Sequence, residues 1–231
     1  MKTPTTKSAS PVFSYLINAL IFRAVMLGIF LLSAGRWDWF WAWLNVGIFY
    51  IFDVLSITLV EPSLLVERKR RSADQKAWDK PLVGLAAGLL PLVIGVIAGL
   101  DERFGWEPEV ADLAQWIGAA VIAVGYGITV WAMRVNSFFS AIVRIQTDRG
   151  HQVVTDGPYQ VVRHPGYVGA ILFTLATPIM LGSVWALIPA VIAAILFVIR
   201  TRREDDTLQV ELAGYREFTE QTRFRLIPGV W

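Results

Sequence analysis

The chain has 231 residues, 55% of them hydrophobic and only 17% charged, with a formal net charge of +2 and no cysteine. Soluble domains carry roughly a quarter charged residues, and here the apolar residues fall in long runs rather than periodic stripes, which points to lipid as the solvent. So small a net charge argues against a nucleic-acid-binding surface, and the missing cysteines exclude a disulfide frame, a thiol nucleophile and a thiolate zinc site.

In chain order, the polar opening "MKTPTTKSASP" leads into a first apolar run, 12–34, that is too long for the core of a cleavable signal peptide. Further apolar runs cover 40–61, 82–100 and 111–133, each close to the ~20 residues a spanning helix needs. The last two, 166–182 and 183–200, are shorter and meet at Leu181-Gly182-Ser183, either a tight helical hairpin or one kinked helix. Backbone groups in lipid must be satisfied within their own segment, so helices are expected throughout. The reading is all-α: a polytopic membrane bundle of five to six spans, with a C-terminal helix on the cytoplasmic side. One domain, 1–231, divides into N-terminal helices with a basic loop (1–110) and a catalytic core (111–231).

Charge is sorted by loop. Of the 21 Lys and Arg residues, all but Arg36 and Arg103 on one side and Arg23 within a span fall on the other side, which also holds both termini. The positive-inside rule makes that side cytoplasmic, as for a bacterial inner-membrane protein. Arg23 and Asp53 read as an ion pair locking the first two helices, the tryptophans at 37, 39, 41 and 43 as an interfacial belt, and "ERKRRSADQK" as a basic loop on the inner leaflet.

Two long polar segments, 134–165 and 200–231, lie on the inner side and hold both histidines. Arg200 and Glu204 are four apart, on one face of a helix leaving the membrane, with Leu208, Leu212 and Tyr215 continuing at helical spacing. On its own this is also the pattern of a solvated, salt-bridged tail.

The combination is more specific. Gly157-Pro158-Tyr159, the run Arg163-His164-Pro165-Gly166-Tyr167-Val168-Gly169, two short apolar segments, then Arg200 through Glu204-Asp205 to Leu208, and the ending from Tyr215 to Pro228, together resemble the isoprenylcysteine carboxyl methyltransferase family. That family is related to the phospholipid N-methyltransferases; "EPSLLVERKRR" and "KAWDK" (Glu61 to Lys80) resemble its bacterial members, and the likeness spans 59–231. The resemblance implies an integral membrane enzyme that uses S-adenosylmethionine to methylate a lipophilic acceptor, a carboxylate in isoprenylcysteine-type substrates. It places His151, Gln152, Val153, Val154, Tyr159, His164, Pro165, Gly166, Tyr167 and Glu204 around the cofactor and Arg200 on the acceptor. Arg144 stands where some relatives carry a cofactor-touching glutamine, with Gln146 close enough to substitute. Aromatic faces and carboxylates suit a sulfonium and an ammonium, and a planar guanidinium suits a carboxylate acceptor.

Other readings remain open at this level. His164 before a proline also suits a helix cap, His151 a loop, and Arg163 a lipid phosphate. A membrane reductase of the sterol-reductase kind, binding NADPH, has a comparable C-terminal layout; adjacent Glu204 and Asp205 favour a sulfonium over a pyrophosphate. A non-enzymatic lipid-binding protein is the third reading. Metal ligation is not expected, because neither histidine has a carboxylate partner at ligand spacing.

Overall fold

The computed structural model describes residues 11–68 and 74–231; Lys2, Lys7 and the Lys69-Arg70-Arg71 part of the basic loop lie outside the described residues. All regular structure among them is helical. Helices α1 (Pro11–Ala34), α2 (Phe40–Leu59) and α6 (Asp112–Val135) are long and apolar enough to cross a membrane, and so is the continuous stretch Asp79–Phe104. That stretch is α4 (Asp79–Val83), a π-helical turn (Gly84–Leu89) and α5 (Leu90–Phe104). Pro91 explains the π turn: it has no N–H for the Ala87 carbonyl, and the Leu90 N–H reaches back to Leu85 instead. A short α3 (Pro62–Glu67) follows α2.

Helices α7 (Pro165–Met180) and α8 (Leu187–Glu211) are two helices and not one kinked helix. The turn between them uses Gly182 at φ +80°, a conformation that side-chain-bearing residues rarely adopt, so the hairpin reading is the correct one. Helix α8 does not run on through Tyr215: it stops at Glu211, Gly214 takes φ +82°, and α9 (Tyr215–Gln221) turns back under the bundle.

Helices α6 and α7 make the most extensive contact among the described helices, and glycine lets them approach. A Cβ at Gly125 would lie 2.8 Å from the Gly169 carbonyl, and one at Gly169 would collide with the Gly125 carbonyl. Without a hydrophobic drive between helices in lipid, such backbone approach is a main source of association. On the other flank, Arg23 donates to Asp53 at 2.8 Å and Tyr126 donates to the same carboxylate at 2.6 Å, which ties α1, α2 and α6 together. The tryptophan belt is only partial. Trp37 and Trp43 are exposed, but Trp39 is 2% exposed and packs edge-on to Phe30 in the core.

The stacking of α6 on α7 makes one variant informative. Gly169→Val should lower the thermal unfolding midpoint in detergent, by overpacking costing about 1–3 kcal/mol or more. Ala170→Val, one position away and half-buried, should cost clearly less.

Candidate functional site

The site grows from the inner ends of the helices. The α6–α7 connection crosses under the bundle, and its end is stitched to the C-terminal segment: Arg163 and His164 N–H groups donate to the carbonyls of Phe224 and Arg225 at 2.9 and 3.1 Å. Pro165 then opens α7, where a missing N–H costs nothing. Beneath lies Asp205 of α8, fully buried. One of its oxygens accepts from Arg163 Nε, His164 Nε2 and the Tyr215 hydroxyl at 2.7, 3.1 and 3.0 Å. The other accepts from Arg163 Nη2, Gln209 and Arg225 at 3.0, 2.8 and 2.8 Å. Burial alone would raise the Asp205 pKa, but the hydrogen bonds and charges of His164 and Arg163 outweigh it and hold the carboxylate ionised far below the ordinary range.

Above this junction is a cavity of about 280 Å³. Of the residues expected at the site, Arg144, His151, Gln152, Val153, Val154, Tyr159, His164, Gly166, Tyr167, Arg200 and Glu204 all line it. Pro165 does not: it is fully buried behind the wall at the first turn of α7. Gly166 is required sterically, since a Cβ there would overlap the ring of Phe139.

Each charged side chain in the wall has a settled geometry. Arg200 does not pair with Glu204. Its Nε donates to Asp79 at 2.6 Å, its Nη2 to the Ala141 carbonyl at 2.9 Å, and its guanidinium lies 5.3 Å from the centre of the Tyr167 ring. Asp79 is itself fixed by the Val143 N–H and by Gln75. Glu204 accepts from the Tyr167 hydroxyl. Arg144, 2% exposed in its side chain, is held by Glu67 at 2.6 Å and Asp148 at 2.8 Å. Gln146 is also committed, donating to the Phe138 carbonyl and accepting from Arg149. Arg163 faces Asp205 and two backbone carbonyls, so it serves neither a lipid phosphate nor a ligand here. Asp205 turns away from the cavity, and Glu204 alone of the adjacent carboxylates faces it.

His151 stacks on Phe138 with centroids 4.7 Å apart, and its Nδ1 accepts the Gln146 N–H at 3.3 Å. Burial, with the nearby Arg144 and Arg149 charges, lowers its pKa to about 4. It is therefore neutral at physiological pH, and the tautomer that accepts at Nδ1 carries its proton at Nε2 as a donor. Tyr159, whose pKa burial raises, keeps its hydroxyl protonated and accepts from Asn136 at 3.0 Å.

The cavity changes character along its length. At its inner end stand His151, Glu204 and Tyr215; towards the membrane interior it is walled by Val83, Ala87, Phe173 and Phe197. Such a space can hold a polar, partly cationic molecule against an apolar one with water excluded. Among the described residues, no group of three or more His, Asp or Glu side chains is arranged for a metal ion. Glu67, Asp79 and Asp205, which set the arginine geometry, went unrecognised as such, although all three stand inside the quoted motifs.

Residues 113–212 match the phospholipid methyltransferase family model, from the first turn of α6 to the residue after α8. The matched stretch is under half of the chain. A probable protein-S-isoprenylcysteine O-methyltransferase of Oryza sativa subsp. indica is 29% identical over 77 residues, 32% of this chain. The protein-S-isoprenylcysteine O-methyltransferase of Schizosaccharomyces pombe is 47% identical over 45 residues, covering 20% of this chain and 19% of its own. Protein-S-isoprenylcysteine O-methyltransferase B of Arabidopsis thaliana is 37% identical over 43 residues, 19% of this chain and 22% of its own. The match spans 40% of the length of the rice relative. The matched stretch contains every expected site residue, whereas Glu67 and Asp79, which hold two of its arginines, stand outside it.

His151 gives a pH signature. An unfolded histidine titrates near 6.5, so between about pH 4 and 6.5 the unfolded chain binds more protons than the folded one, and stability falls as pH drops through this window. Unfolding midpoints measured from pH 7.5 to 4 should decline less steeply in His151→Gln than in the parent. Parallel profiles would mean that His151 is not held neutral.

Proposed function

We propose that this protein transfers a methyl group from S-adenosylmethionine to a lipophilic acceptor, most directly a carboxylate such as that of an S-isoprenylcysteine, at the cytoplasmic face of a bacterial inner membrane with both termini inside. The observation that carries the reading is the cavity itself, which joins His151 and Glu204 at one end to Phe173 and Phe197 at the other. A methyltransferase that served a soluble acceptor would not need the second end. The names of the rice, fission-yeast and Arabidopsis relatives support the isoprenylcysteine choice.

The residues present fit the cofactor. Glu204 offers a carboxylate to an ammonium or sulfonium, and the Phe138, Tyr159 and Tyr167 rings offer faces to a cation. Neutral His151 donates from Nε2 to a purine nitrogen or a carboxylate oxygen. S-adenosylmethionine, when bound, supplies an electrophilic methyl group on a positively charged sulfur. Methylation of a carboxylate needs no general base, which agrees with the occupied state of His164, whose Nε2 is engaged by Asp205. Arg200 has the orienting role. Asp79 and the Ala141 carbonyl fix Nε and Nη2, which leaves Nη1 to direct an acceptor oxygen. A site from which bound ligands displace water would favour a step in which a cation and an anion neutralise one another.

Calorimetric titration of the detergent-purified protein should detect S-adenosylmethionine and its demethylated product but not NADPH. Glu204→Gln should weaken cofactor binding on the order of tenfold to a hundredfold, by loss of a charge-assisted hydrogen bond. Arg200→Ala should leave that affinity nearly intact and cut turnover by orders of magnitude, with little rescue by Arg200→Lys. Tight NADPH binding without response to the sulfonium compound would move the assignment to a membrane reductase.

A further inference from the structure

Among the arginines around the cavity, charge pairing is nearly complete, with one exception. Four arginines line it among the described residues: Arg68, Arg144, Arg163 and Arg200. Three are neutralised by buried carboxylates, Arg144 by Glu67, Arg163 by Asp205 and Arg200 by Asp79. Arg68 has no carboxylate partner among the described residues, and its Nη1 is buried without a hydrogen-bond acceptor. Residues 1–10 and 69–73, which lie outside the description, contain no Asp or Glu that could supply one. Contact with an aromatic face is the compensation in place: the guanidinium lies 5.2 Å from the centre of the Phe139 ring, whose position depends on Gly166. A cation facing a largely apolar cavity is costly unless something pairs with it. Arg68 therefore does not behave as the lipid-facing loop residue that "ERKRR" suggests.

The lining carboxylate left without an arginine is Glu204, held by the Tyr167 hydroxyl. The cavity thus offers one uncompensated anion and one uncompensated cation. If Glu204 takes the cofactor's positive charge, Arg68 is available for a negative one. Its surroundings favour the acceptor as the source. Arg68 follows directly on α3, whose Leu64 and Leu65 are fully buried with Val60 against Tyr15 and Phe52 of the spanning helices. The His151–Phe138 stack belongs instead to the polar connection.

We infer that Arg68 binds the anionic group of the acceptor, which makes the substrate class a lipophilic carboxylate and Arg68 a specificity residue beside Arg200. Arg200, already neutralised by Asp79, gives direction to the acceptor oxygen; Arg68 gives the net charge that selects an acid. This rests on the methyltransferase reading for the identity of the acceptor, but its test does not require turnover.

The probes are N-acetyl-S-farnesylcysteine and its carboxamide, titrated calorimetrically into the full-length protein in detergent without cofactor. The parent should bind the acid at least about tenfold tighter than the amide, the scale of a charge-assisted hydrogen bond in a desolvated site. Arg68→Gln should abolish that preference without changing affinity for S-adenosylmethionine, and Arg68→Lys should keep part of it. Equal binding of acid and amide by the parent, or an undiminished preference in Arg68→Gln, would overturn the assignment. A parallel loss of S-adenosylmethionine affinity in Arg68→Gln would also overturn it, by making the bound carboxylate the cofactor's. Failure of the parent to bind S-adenosylmethionine would sink the methyltransferase reading, while the acid–amide comparison would still judge Arg68.

Discussion

The ionised carboxylate of Asp205 is the point on which the half of the structure that holds the cavity depends. It lies in α8 yet bonds to the residues that open α7, to Tyr215 at the start of α9 and to Arg225 in the C-terminal segment. An isolated buried carboxylate would be driven to protonate. Here every lone pair is used, so the charge is stable and four stretches of chain are fixed to one another. The floor of the cavity is this junction: Tyr159, Leu212, Tyr215 and Phe218 pack over it, and the Thr222 hydroxyl closes on the Tyr159 carbonyl at 3.1 Å. Without the ion cluster, the connection and the C-terminal tail would be joined only by backbone bonds, the Thr222–Tyr159 contact and apolar packing.

The same device recurs at smaller scale. Glu67 aims Arg144 and Asp79 aims Arg200, each acid coming from the stretch between α2 and the π turn. That stretch lies outside the region similar to the phospholipid methyltransferase family, which begins at residue 113, so that region's arginines are positioned by segments that precede it. Pairing has a chemical consequence beyond rigidity. A neutralised arginine retains its directional donors but loses most of its long-range attraction. Such residues orient ligands rather than attract them, and the attraction falls to whichever charges remain unpaired.

The helical bundle was legible because lipid imposes it. Runs of about twenty apolar residues have one structural solution in a bilayer, and the helix limits agree with the runs to within a few residues, apart from the polar extensions of the third and last. The Arg23–Asp53 pair was legible for the same reason, since an ionisable residue in mid-span needs a partner and few are on offer. Local geometry was harder to read. The π turn follows from Pro91, which lies within an uninterrupted apolar run, and the inward turn of Trp39 follows from packing against Phe30 rather than from its place in a tryptophan cluster. At the site, the motif brought the right residues to one cavity but could not say which charges pair. Arg200 and Glu204 share a helical face, yet their partners, Asp79 and Tyr167, come from elsewhere in the chain. Helical spacing records neighbours along one element; ion pairing is decided between elements.

Amide hydrogen exchange tests the role of Asp205 most directly. In the parent protein, the backbone amides of Arg163 and His164, bonded to Phe224 and Arg225 carbonyls, should exchange slowly together with those of Thr222, Leu226 and Ile227. In Asp205→Asn, both segments should lose protection in concert while the interiors of α6 and α7 keep theirs. Unchanged protection of the two segments in that variant would contradict the central place given to this carboxylate.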